Sequence, residues 1–162
     1  MRRGFTLLLV RHAQAEHHIR GITGGWSDTA LTEEGRKQSV ILAARLEREL
    51  DSTPVSLGTS GLKRAVQTAA IVGGALQIQP QIYSELNDLN NGLAAGKTHI
   101  EAQKIVLPQS QPILDWRPYP QAETWRDFFM RVTGFMEQFS ASQVSPALLV
   151  THAANIQVIV AW

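Results

Sequence analysis

The stretch that decides the fold is Phe5-Thr6-Leu7-Leu8-Leu9-Val10, a continuous apolar run bounded by Gly4 and Arg11. A run this short, without polar alternation, is typical of a strand buried on both faces of a parallel sheet. Three further segments predict strands, at residues 54–59, 78–83 and 147–151. The third segment of the four, 78–83, alternates apolar and polar residues, which is typical of a half-buried strand.

Helices are predicted between these strands. Thr32 and Ser60 are candidate N-caps, and Gly73-Gly74 is the expected end of the second helix. An aromatic stripe at helical spacing over 125–139 predicts a third helix with Trp125 in the core, and another helix follows His152. Residues 13–31 and 108–120 are expected to be irregular. This alternation indicates an α/β three-layer sandwich, a mostly parallel sheet with helices on both faces.

Composition excludes several function classes. The 162 residues, 44% hydrophobic, fit one domain with a real core. A net charge of +1 argues against nucleic acid or anionic membranes as partners. The chain has no cysteine, which excludes disulfides, thiolate zinc sites and cysteine nucleophiles.

The two ends of the chain bear on location and completeness. The apolar run after Met1-Arg2-Arg3 is too short for a secretory signal, and no segment approaches a membrane span of roughly 20 apolar residues. We therefore expect a cytoplasmic protein. Residues 1–162 are expected to form a single domain, and the apolar end at Trp162 predicts that the native domain continues further.

Charged and polar side chains follow the predicted strands at one sheet edge. Arg11-His12 follows the first strand, Arg64 lies one turn beyond the second, and His152 follows the last. The third strand leads into the acidic turn Glu85 to Asp88. Because ligands of open α/β sheets bind at the carboxyl ends of the strands, these residues are candidates for one site.

The pattern resembles the histidine phosphatase superfamily, also called phosphoglycerate mutase-like. The matching motifs are Leu9-Val10-Arg11-His12, Leu31-Thr32-Glu33-Glu34-Gly35, Thr59-Ser60 through Arg64 to Ala69, Leu86-Asn87-Asp88 with Gly92 and Gly96, Thr124 to Arg131, and Val150-Thr151-His152. Their order matches the family along nearly the whole chain. The resemblance implies a phosphoglycerate mutase-like fold and a phosphomonoester hydrolase that acts on a small phosphorylated metabolite.

The resemblance also assigns roles. His12 would be the nucleophile that forms a phosphohistidine, and Arg11, Arg64 and His152 would bind the phosphoryl group. Asp88 falls where the family's proton donor lies, usually a glutamate, and Glu85 is the alternative acid. No cofactor or metal is implied, because cationic side chains neutralise the phosphate.

Alternatives stay open at this point. The rival functions are a phosphomutase of the same family and a catalytically inactive phosphate-binding module. The sequence also leaves open whether the protein forms a homodimer. Ile22 stands where the family often has a phosphate-binding arginine. The His17-His18 pair is a weak candidate for a metal site, because no other ligands cluster with it. The predicted substrate rim comprises His18, Arg20, Thr23, Gly24 and Trp26.

Overall fold

Four parallel strands form the sheet in the computed structural model, which describes residues 5–142 and 146–162. They are β1 (Leu7–Arg11), β2 (Ser56–Thr59), β3 (Gln81–Ile82) and β4 (Ala147–Thr151). Their order across the sheet is β1-β4-β2-β3, and all neighbouring pairs are parallel. Gly4, the predicted boundary of the first strand, lies outside the described residues.

Helices connect the strands. They are α1 (Glu16–Arg20), α2 (Glu33–Leu50), α3 (Lys63–Leu76), α4 (His99–Gln103), α5 (Trp125–Ser142) and α6 (Ala153–Ala161). Short 3₁₀ turns lie at Ser84–Leu86, Gly92–Ala94 and Ile113–Asp115. Within the described part of the chain, none of the helices has the length and apolar character needed to cross a bilayer.

The central strand β4 shows why helices cover both faces of the sheet. All five of its residues are buried, and successive side chains alternate between two separate apolar cores. Leu148 and Val150 join the core formed with α2 and α3, whereas Ala147 and Leu149 join the core that includes α5 and α6. The predicted α/β three-layer sandwich is therefore confirmed.

Two helix predictions need correction. The segment 13–31 contains α1, whose first turn is fixed by the His18 Nδ1 atom accepting from the Ala15 N–H at 2.9 Å. The helix predicted after Ser60 is α3. It begins at Lys63, with Leu62 rather than Ser60 as N-cap, and continues past Gly73-Gly74. Gly73 is needed for close packing rather than for ending the helix, because a Cβ there would lie 2.4 Å from the Ile78 carbonyl oxygen.

Two predictions about burial also differ from the structure. The strand predicted at residues 78–83 is reduced to β3, Gln81–Ile82, which pairs with β2 at only two positions. It lies at the side of the sheet, and both of its residues are exposed. Trp125 is 41% exposed and does not lie in the core. It is the first residue of α5 and packs edge-on against Phe128, while the aromatic core residues lie further along the helix.

Gly35, in the first turn of α2, packs directly against the backbone of Gln14, two residues after His12. A Cβ at Gly35 would lie 2.0 Å from the Gln14 carbonyl oxygen, which also accepts the Thr32 N–H at 3.0 Å. We expect Gly35→Ala to lower the free energy of unfolding by about 1–3 kcal/mol, because backbone must move to admit the methyl group. Urea denaturation measures this loss.

Gly74 provides the matched control for that prediction. It is also a helical glycine, in α3, but a Cβ there meets no atom within 4 Å. Gly74→Ala should leave stability unchanged or raise it by up to about 1 kcal/mol, through helix propensity. Equal losses of stability in both variants would show that the close contact with Gln14 is not the cause of the loss in Gly35→Ala.

Candidate active site

Three neighbouring strands end at the same sheet edge, and a polar side chain follows each one. His12 follows β1, His152 follows β4 and Ser60 follows β2. Arg11 pairs with Thr151, and Thr59 pairs with Val150, so β1 and β4 end at the same level and β2 ends one residue earlier. The register of the parallel strands therefore brings these side chains to one place.

His12 is a buried imidazole held in one tautomer. Its Nδ1 atom lies 2.8 Å from the Ala13 carbonyl oxygen, which only accepts, so Nδ1 carries the proton. The Nε2 atom accepts a hydrogen bond from Arg64 Nε at 3.1 Å. Burial lowers the pKa of His12 to about 3, and the Arg64 charge acts in the same direction. The ring is therefore neutral at physiological pH, and its Nε2 lone pair accepts from Arg64 rather than binding a proton.

His152 lies beside His12, with 5.0 Å between the ring centroids. Its Nε2 atom is 2.8 Å from the Ser60 hydroxyl, and its Nδ1 atom is 3.3 Å from an Arg64 nitrogen. Burial lowers the pKa of His152 to about 2, helped by the charge of Arg64. Sequence reasoning treated Ser60 as a helix cap and missed this contact. Its position directly after β2, at the shared edge, is the signal that would have found it.

Arg64 is fully buried and contacts His12, His152 and Asp88. Besides His12, its guanidinium donates to the carbonyls of Ser27 at 2.8 Å and Gly25 at 2.7 Å. One terminal nitrogen also lies 3.3 Å from an Asp88 carboxylate oxygen. The two carbonyl contacts fix the guanidinium plane, while the contacts to His12, His152 and Asp88 direct positive charge into the site.

Asp88 places one carboxylate oxygen in the site and uses the other locally. Oδ1 accepts from the Leu89 N–H at 2.9 Å, and Oδ2 faces Arg64 and lies 3.7 Å from His152 Nδ1. Burial raises the pKa of Asp88 above its ordinary value, against the opposing effect of Arg64. Glu85, the alternative acid, is exposed, and its carboxylate accepts from Ser84. Of the two candidate acids, Asp88 is therefore the one whose carboxylate lies beside Arg64 and His152.

Arg11 occupies different surroundings. It is exposed at the end of β1 and lines an open cavity of about 460 Å³ together with His12 and His18. The structure thus brings Arg64 into contact with His12, whereas Arg11 shares a cavity with it.

Two of the five predicted rim residues lie against the site. The His18 ring stacks on His12 at 5.7 Å between centroids. Trp26 is 42% exposed, and its Nε1–H donates to the Asp88 carbonyl at 2.8 Å. Both residues can face a bound substrate.

The remaining rim residues are engaged elsewhere in the fold. Thr23 is buried and donates its hydroxyl to the Ala94 carbonyl. Arg20 is exposed and pairs with Glu16 at 3.6 Å, and Gly24 packs close to His17. Across residues 5–142 and 146–162, no group of three or more His, Asp or Glu side chains is arranged to hold a metal ion.

Comparison with known proteins identifies the family. The family model for the histidine phosphatase superfamily (branch 1) matches residues 7–162. The chain belongs to the histidine phosphatase superfamily. It is 32% identical over 160 residues to a Hydrogenobacter thermophilus protein named "Putative phosphoserine phosphatase 2", covering 95% of this chain and 76% of that relative.

Two further relatives place this histidine phosphatase domain in context. The chain is 27% identical to the Arabidopsis thaliana 6-phosphofructo-2-kinase/fructose-2,6-bisphosphatase, over 96% of its own length but only 21% of that protein. The structure of the alpha-ribazole phosphatase from Shigella flexneri superposes with a TM-score of 0.81 at 25% identity. That match covers 96% of this chain and 77% of the Shigella chain.

Proposed function

We propose that this chain is a phosphomonoester hydrolase that works through a phosphohistidine at His12 and acts on a small phosphorylated metabolite. The observation that carries the proposal is the neutral His12 ring, whose Nε2 lone pair lies 3.1 Å from Arg64 Nε. In the proposed reaction a phosphoryl oxygen takes over the Arg64 Nε–H, which frees the Nε2 lone pair of a neutral nucleophile next to a permanent cation.

The first half of the reaction forms the phosphoenzyme. His12 Nε2 attacks phosphorus, the bond from phosphorus to the leaving oxygen breaks, and Asp88 gives that oxygen its proton. The imidazole becomes positive as the N–P bond forms, and its Nδ1–H bond to the Ala13 carbonyl stabilises this charge. Arg64 and His152 bind the phosphoryl oxygens, whose charge must be neutralised in the transition state. Arg11 adds positive charge at the mouth of the site.

The second half releases phosphate. Asp88, now ionised, takes a proton from water as the water oxygen attacks phosphorus. The N–P bond breaks, inorganic phosphate leaves, and both His12 and Asp88 return to their starting protonation states. The phosphatase names of the Hydrogenobacter and Shigella relatives support hydrolysis as the reaction of this chain.

A panel of phosphomonoesters tests this function. Phosphorylated sugars, phosphoserine, glycerol phosphates and p-nitrophenyl phosphate are incubated with the protein in EDTA, and inorganic phosphate is measured. We expect turnover of at least one member. Transfer of the phosphoryl group to another position of the substrate without phosphate release would indicate a mutase. Phosphate binding without any turnover would indicate a binding module.

A further inference from the structure

An ion pair outside the phosphate site holds the turn that carries Asp88. Arg131, on α5, makes a two-pronged contact with Glu123, at 2.9 and 2.8 Å. The same guanidinium donates to three backbone carbonyls of that turn, those of Glu85 at 2.6 Å, Asn87 at 3.0 Å and Asp88 at 3.3 Å. Its donors are thus shared between one carboxylate and the backbone on the Asp88 side.

Glu123 holds the far end of the same turn. Its carboxylate accepts from the Asn90 N–H at 3.2 Å, and its own backbone N–H donates to the Asn90 carbonyl at 2.9 Å. Arg131 and Glu123 therefore hydrogen-bond to backbone groups of residues 85–90 on both sides of Asp88. We call this ion pair, Glu123 with Arg131, the turn clamp.

The turn clamp is largely withdrawn from water. The Arg131 and Glu123 side chains are 21% and 12% exposed, and the Phe128 ring lies 5.2 Å from the guanidinium carbon. Placing two charges in such surroundings has a desolvation cost, which is offset here by seven hydrogen bonds within the pair and to the turn. All of the backbone groups that the clamp side chains bind belong to the turn carrying Asp88.

The position of this backbone matters for proton transfer. An aspartate side chain is short and has few rotatable bonds, so the reach of its carboxyl group depends strongly on where its Cα lies. Side-chain donors from two directions fix the Asp88 carbonyl, Arg131 on one side and Trp26 Nε1 on the other. A misplacement of about 1 Å in a reacting group can cost roughly 10²-fold in rate.

We infer that Arg131 and Glu123 are positioning residues that set the reach of Asp88 to the leaving oxygen. The inference rests on the proposed function, in which Asp88 is the general acid. The clamp makes no hydrogen bond to His12 or Arg64, and its hydrogen bonds act on the site through the turn, so its loss should slow most those substrates whose leaving group needs a proton. The charge of Arg131 also lowers the pKa of His152, and Arg131→Lys keeps that charge.

The test uses Arg131→Lys, which keeps the charge and loses the fork, and Glu123→Gln, which keeps the size and loses the charge. The measured quantity is kcat/KM, which depends only on the steps up to formation of the phosphoenzyme. For an alkyl phosphate, whose leaving group needs a proton, we expect it to fall about 10²-fold. With p-nitrophenyl phosphate, whose leaving group needs little protonation, we expect less than about a threefold change. Arg126→Lys is the control, because Arg126 lies on the same helix and pairs with Asp115 instead.

A second measurement separates positioning from general damage. In the Asp88→Asn background, Arg131→Lys should cause little further loss with the alkyl phosphate, because the group it positions is gone. Equal losses for both substrates in the two clamp variants, or fully additive losses with Asp88→Asn, would overturn the inference. If Arg131→Lys fails to fold by circular dichroism, Glu123→Gln decides with the same criteria.

The result also distinguishes the inference from the proposed function. Selective loss in Asp88→Asn without selective loss in the clamp variants rejects the clamp and leaves the general acid in place. Absence of turnover by the unmodified protein, or no selectivity in Asp88→Asn, rejects the acid role itself and the clamp with it.

Discussion

Replacing His12 with glutamine is expected to abolish turnover, by at least about 10⁴-fold, the scale on which loss of a covalent nucleophile acts. Glutamine suits this test because its amide oxygen can still accept the Arg64 Nε–H that His12 Nε2 accepts at 3.1 Å. An alanine would instead leave a buried donor unpaired, which costs about 1–3 kcal/mol and confuses stability with activity.

The phosphoenzyme gives the direct readout of that prediction. Protein mixed with p-nitrophenyl phosphate and quenched in alkali should carry one phosphoryl group by intact mass, and acid should remove it. His12→Gln should carry none. A phosphoryl group on His12→Gln would assign the covalent step to another residue, and turnover without any phosphoenzyme would favour direct attack by water.

His17 supplies a demanding control. Its ring lies 6.0 Å from that of His12, it is buried, and burial lowers its pKa to about 4. A second neutral imidazole therefore stands next to the nucleophile. However, its Nδ1 is bonded to Thr29 at 2.8 Å, outside the group of contacts around Arg64. His17→Gln should still form the phosphoenzyme.

Much of the sheet and its edge could be predicted from the sequence. The central strand β4 is buried on both faces and has to be apolar, which leaves a local signature in the chain. The apolar run of β1 also predicted a strand correctly, but β1 lies at the edge of the sheet and is mostly half-buried rather than buried on both faces. The polar residues that follow them were equally visible, because strand direction alone brings parallel carboxyl ends together. His12, Arg64, His152 and Asp88 are in contact for this reason.

The parts that escaped prediction depend on tertiary contacts. Arg131 binds backbone carbonyls some forty residues earlier, and a carbonyl has no sequence signature. Ser60 also looks like a helix cap until His152 is placed beside it. The α1 helix is only five residues long and depends on His18 accepting from the backbone of Ala15, so its periodicity is too short to detect.

Replacing Asp88 with asparagine should slow hydrolysis of alkyl phosphates by roughly 10²–10⁴-fold, the usual contribution of general acid catalysis. Asparagine keeps an oxygen for Arg64 and has no acidic proton to give. An alkoxide leaving group cannot depart without that proton, whereas p-nitrophenolate can, so p-nitrophenyl phosphate should lose far less. The values of kcat/KM for the two substrates measure the difference, because they depend only on the steps up to formation of the phosphoenzyme and not on its hydrolysis, in which Asp88 acts as the base.

Glu85→Gln is the matched control, since Glu85 is a carboxylate three residues away and exposed. It should leave both substrates unaffected. Equal losses for both substrates in Asp88→Asn would reject its role as the acid, and a selective loss in Glu85→Gln would transfer that role.

The pH profile gives an independent test of the same assignment. Asp88 works as an acid only while protonated, and burial already raises its pKa above the ordinary range. A bound phosphate dianion raises it further, because like charge disfavours the carboxylate. His12, with a pKa of about 3, stays neutral throughout the working range and sets no limit above that pH. The rate of phosphoenzyme formation from a bound alkyl phosphate, measured in a single turnover, should therefore be highest on the acidic side and fall as pH rises through the pKa of Asp88. Asp88→Asn should lose this alkaline fall, and a profile unchanged in shape would place the titrating acid elsewhere.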